Sequence, residues 1–110
     1  MAYDETLADR IRALLGPETH LTSMKMFGGI GFMDRGNMAI GIIKDDLLVR
    51  VGADADDDAL AQPGARPMEF GGRTMKGFIT VDRSAIADDA VLGAWIDRGL
   101  AFTKTLPPKR

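Results

Sequence analysis

Lys25 to Gly41 reads KMFGGIGFMDRGNMAIG, with five of the chain's 13 glycines set among apolar residues. Such a run either cradles a phosphate or shapes a sheet. A dinucleotide loop of the form G-x-G-x-x-G leaves a strand and enters a helix, so that backbone N–H groups and the helix dipole meet the pyrophosphate. Here Gly29-Ile30-Gly31 is followed by Phe32-Met33-Asp34, without the third glycine, and then by a second apolar strand. There is no Gly-Lys-Ser/Thr for a P-loop. The spacing instead predicts a hairpin, with Ile30–Met33 and Met38–Ile43 flanking the turn residues Asp34, Arg35, Gly36 and Asn37.

Setting Met33 beside Met38 places Ile30 across from Gly41, Gly31 across from Ile40 and Phe32 across from Ala39, large against small throughout. Alternation then puts Met38, Ile40 and Ile42 on a core face with Leu47, Val49 and Val51. Ile30, Phe32, Ile43 and Leu48 share the other face with Arg50. That second face is apolar enough to need a cover, which makes those four residues a candidate interaction face. Gly28-Gly29 reads as the bend where the first strand turns.

The rest of the chain has regular punctuation. Tyr3, Leu7, Ile11, Leu14 and Leu15 fall on one helical face, Asp4 is placed to cap it, and Gly16-Pro17 stops it. Residues 23–27 can be extended, and Leu47–Val51 follows the turn Lys44-Asp45-Asp46. Asp54 reads as the cap of a short helix ended by Pro63-Gly64. Arg66–Phe70 and Met75–Val81 form a second hairpin around Gly71-Gly72. Asp88 caps a final helix whose apolar half carries Val91, Leu92, Trp95, Ile96, Gly99, Phe102 and Leu106. Gly99 in that half predicts close contact with a sheet. Pro107-Pro108 ends it, leaving residues 105–110 as an extended tail. Strands grouped without alternating helices predict one α+β domain over residues 1–110. It has two layers, with a mostly antiparallel sheet of about five to six strands, helices at both chain ends and a short middle helix.

Composition narrows the chemistry. With no cysteine there is no disulfide, thiolate metal site or cysteine nucleophile. The N-terminus has acidic residues and no long apolar run, so neither a signal peptide nor a membrane span is expected, and the protein reads as cytoplasmic. A formal net charge of −2 does not support nucleic-acid binding. Asp54, Asp56 and Asp58 match the first ligand positions of an EF-hand, but Ala59 and Ala65 stand where glycine and glutamate are required. His20 is the single histidine and has no motif partner. No catalytic, cofactor-binding or metal-ligating residues emerge. Trp95 reads as a core anchor, and the strand methionines as core filler or an adaptable surface. Arg50, Arg66, Arg73 and Lys76 could converge as a cationic site.

Met26-Phe27-Gly28-Gly29 with Gly31, the strand ending Leu48-Val49-Arg50-Val51, Lys76-Gly77-Phe78, Trp95 and Leu106-Pro107-Pro108-Lys109 together resemble the TfoX/Sxy N-terminal domain family. The resemblance implies a two-layer α+β domain and a link to regulators of natural competence. Those regulators carry a second, C-terminal domain that these 110 residues do not include. It brings no catalytic residues with it.

Three functions are open at this point. The first is a non-enzymatic interaction and regulatory module that binds a protein partner or itself. The second is a nucleic-acid-associated transcriptional regulator that uses a basic patch. The third is a small-molecule or enzymatic site near Lys76. No cofactor and no membrane is expected.

Overall fold

The computed structural model describes residues 3–16, 21–26 and 28–107. Helix α1 (Glu5–Leu15) precedes strands β1 (Leu21–Met26), β2 (Gly29–Asp34), β3 (Asn37–Ile43) and β4 (Asp46–Arg50). A 3-10 turn (Ala53–Ala55) runs into the short helix α2 (Asp56–Leu60). Strands β5 (Ala65–Phe70) and β6 (Arg73–Val81), another 3-10 turn (Arg83–Ile86) and helix α3 (Asp89–Thr103) follow. The strands make one antiparallel sheet in the order β1-β2-β3-β4-β6-β5. The fold is therefore α+β, with helices at both ends.

The two long helices follow their sequence signals. The Asp4 side chain accepts the Leu7 N–H at 3.1 Å, and Gly16 closes α1 by donating to the Arg12 carbonyl. Leu7, Ala8 and Ile11 are buried. Asp88 caps α3 by accepting from the Ala90 N–H at 2.8 Å. Leu92, Trp95, Ile96, Gly99 and Thr103 form its buried stripe at helical spacing. Two boundaries differ from expectation. Tyr3 precedes α1 and bridges to Lys44, and α3 ends at Thr103, before Leu106. Asp54 is not a cap either. It lies inside the 3-10 turn, Gly52 holds the N-cap position, and Asp56, Asp57 and Asp58 occupy the first turn of α2.

The register of the first hairpin differs from expectation in a way that reassigns its faces. Met33 does pair with Met38, but Phe32 pairs with Ile40, Gly31 with Gly41 and Ile30 with Ile42. Ala39 is left over as a bulge. It stands where α3 crosses, since a Cβ on Gly99 would lie 2.5 Å from the Ala39 carbonyl oxygen and 3.1 Å from Ile40 Cγ1. The extra residue turns Ile30 and Phe32 onto the helix side, where both are buried in the core, and leaves Met38 on the opposite face. Burying two such side chains contributes about 1.5–3 kcal/mol each. A ladder bond forgone at a bulge costs about 1 kcal/mol, so the bulged register wins. Rows Ile30–Ile42–Leu47–Val81 and Phe32–Ile40–Val49–Ile79 then form the core under the helices. At the far end, the buried Asp34 accepts the Thr103 hydroxyl at 2.8 Å, and Asn37 Nδ2 donates to the Pro107 carbonyl at 3.0 Å, tying the end of α3 to the hairpin.

Candidate functional site

The face away from the helices holds the candidate site. Pairing sets Gly31, Gly41, Leu48, Thr80 and Arg66 in one row across it. Gly29, Gly31 and Gly41 are buried, and a Cβ on Gly41 would stand 3.0 Å from the Ile30 carbonyl oxygen. Gly29 is also in backbone contact: a Cβ there would overlap the Ile42 carbonyl oxygen. The glycines of the Lys25–Gly41 run thus permit tight packing within the sheet, and a strand rather than a helix follows them.

A groove of about 590 Å³ runs along this face. Met38 and Ile43 of β3 form one wall, and Met68 and Met75 of the β5–β6 hairpin form the other. Leu48, Thr80 and Phe78 lie between them as the floor. Leu48 is only 5% exposed, while Met75 stays 36% exposed at the rim. At the edge of the sheet Met24, paired with Gly31, is 55% exposed on the same face. Lys44, Asp46, Arg66 and Glu69 supply the polar rim. Volume and lining fit the usual form of a binding site, an apolar concavity with a few placed polar groups.

A break in the second hairpin helps shape this wall. Pro67 pairs with Ile79 and Met68 with Met75, so residues 76–78 of β6 have no partner in β5. Gly77 adopts φ 88°, a region open to glycine, and packs against the Gly52–Ala53 backbone. Its N–H donates to the buried Asp56 Oδ1 at 2.8 Å, and its carbonyl accepts from Val51 and Gly52. Asp56 therefore anchors the hairpin, a role that its place in an acidic run conceals.

The four residues of the anticipated interaction face divide. Ile43 and Leu48 line the groove; Ile30 borders it but is buried in the core cluster under the helices, and Phe32 belongs to that core alone. The four expected cations do not converge. Arg66 pairs with Asp46 at 3.0 Å and Asp82 at 3.1 Å, Arg50 stacks between rings, and Arg73 and Lys76 are exposed. Lys76 does not line the groove. Of the motif residues, Trp95 is core, Gly77 is buried, Gly28 forms the turn between β1 and β2, and Pro107 meets Asn37. Met26 is the last residue of β1. Phe27, Lys109 and His20 lie outside the described residues. Among the described residues no group of three or more His, Asp or Glu is arranged to hold a metal ion. No helix among them is long and apolar enough to cross a membrane.

No curated protein and no solved structure matches this chain. The sequence profile of the TfoX N-terminal domain matches residues 13–103, from inside α1 to the end of α3, and so takes in the whole sheet and the groove. The chain belongs to the TfoX N-terminal domain family.

Proposed function

We propose that this domain is a non-enzymatic interaction module that acts in regulation inside the cell and holds a protein partner in the helix-free groove of its sheet. The observation that carries the reading is the apolar concavity itself, lined by Met38, Ile43, Leu48, Met68, Met75 and Phe78. Methionine suits such a surface, because its flexible, polarizable side chain re-packs against different apolar shapes. A sheet covered by helices on one side only leaves a layer for a partner to supply. The link to competence regulators makes a partner among transcription-control proteins the natural class.

A peptide library tests this without a known partner. Twelve-residue peptides with free C-termini are panned against the wild-type protein, and the binders are then measured on Leu48→Asp and Met75→Glu variants. Binders with apolar anchors are expected, losing at least about tenfold in affinity on both variants, because a carboxylate in the groove must be desolvated by the bound peptide. Met75 is at the exposed rim, so that variant keeps the core intact. Binders indifferent to both substitutions, or no binders, would contradict the reading.

A further inference from the structure

Just past the Phe78 end of the groove, outside its lining, stands an arginine with no carboxylate partner among the described residues. Arg50 lies two residues beyond Leu48 on β4 and pairs with Phe78, which lines the groove. Its guanidinium sits 5.5 Å from the centre of the Phe78 ring and 5.2 Å from that of Phe102 on α3. Phe102 can approach because residue 52 is glycine: a Cβ there would be 2.5 Å from the ring. Two aromatic side chains, from the sheet and from the helix layer, thus flank the guanidinium of the half-buried Arg50.

The other paired arginines show what is unusual here. Arg10, Arg12, Arg35, Arg66, Arg83 and Arg98 each have a carboxylate oxygen within 3.9 Å. Among the described residues Arg50 and Arg73 have no such ion pair; Arg73 is exposed, whereas Arg50 is half-buried and lies against two rings. Stacking occupies the faces of a guanidinium and leaves its edge, with N–H donors in a planar fork, unpaired. A fork fixed by rings has already lost its rotamer freedom, and it matches the two oxygens of a carboxylate.

We infer that the groove takes an apolar peptide segment that carries a carboxylate, and that Arg50 receives that carboxylate at the Phe78 end. The inference rests on the groove being a peptide site, as proposed above. The carboxylate can be a chain terminus or an Asp or Glu side chain, since the fork reads the same two oxygens in either case.

The panned peptides decide it. Each binder is remade with its C-terminus amidated, and separately with its acidic residues changed to Asn or Gln. All forms are measured on wild type, Arg50→Met, Arg50→Lys and Lys44→Ala. One of the two neutralised forms is expected to bind wild type about tenfold more weakly, which identifies the source. That difference disappears in Arg50→Met, which keeps a side chain between the rings. Arg50→Lys retains only part of it, because an ammonium lacks the planar fork. Lys44→Ala leaves it unchanged. Binders that are sensitive to Leu48→Asp yet indifferent to both neutralisations would overturn the inference while the groove reading stands. So would a carboxylate effect that follows Lys44 rather than Arg50. Absence of groove binders would overturn both.

Discussion

Two Gly→Ala substitutions in one helix are expected to change stability in opposite directions. Gly93 and Gly99 both lie in α3, and alanine is preferred over glycine in a helix by about 0.8–1 kcal/mol. A Cβ at Gly93 meets nothing within 4 Å, so Gly93→Ala should stabilise the protein by up to about that amount. At Gly99 the same carbon would sit 2.5 Å from the Ala39 carbonyl oxygen, which is backbone and cannot rotate aside. The helix must lift from the bulge, and overpacking of this kind costs about 1–3 kcal/mol. Gly99→Ala therefore loses the propensity gain and more, and Gly99→Val should stand at or beyond the top of that range. The urea midpoints report both directions, with the slope unchanged if the unfolded state is unaffected.

A second large effect is expected at the start of β2. Any Cβ on Gly29 overlaps the Ile42 carbonyl oxygen across the β2–β3 ladder. Gly29→Val should cost on the order of 3 kcal/mol or more, since both colliding groups are fixed by strand pairing and neither belongs to a flexible side chain. A glycine kept for phosphate contact would give a different result: a folded protein of nearly normal midpoint that had lost a ligand. An unchanged midpoint in Gly29→Val would refute the steric role assigned to the cluster.

The contrast between these glycines shows what the sequence could reveal. Helix ends were legible because Asp4, Asp88 and Gly16 act on their immediate neighbours. Strand order within each hairpin was legible from turn residues and short spacing. Gly99 could be read as a point of sheet contact from its place in an apolar stripe. The Ala39 bulge could not, because its cause is that same contact arriving from 60 residues away along the chain. Missing it put Ile30 and Phe32 on the wrong face and Met38 in the core. The site was legible only in part for the same reason. Ile43 and Leu48 sit on strands whose alternation is local, whereas Met68, Met75 and Phe78 reach the groove through an irregular hairpin. Three residues of β6 without a partner in β5 and the Asp56–Gly77 bond set that hairpin's shape. Arg50 stood out as a motif residue, but its clamp depends on Phe102, which comes from another layer of the fold.

The claim that the groove is the binding surface can be tested at the methionines themselves. Protein carrying ¹³C in its methionine methyl groups and ¹⁵N in the Trp95 indole is titrated with a panned peptide and followed by NMR. Saturable shifts are predicted for the Met38, Met68 and Met75 methyls, on the two walls of the groove, while the Trp95 indole on the helix side of the sheet stays in place. Shifts at Trp95 with those three methyls unmoved would contradict the account.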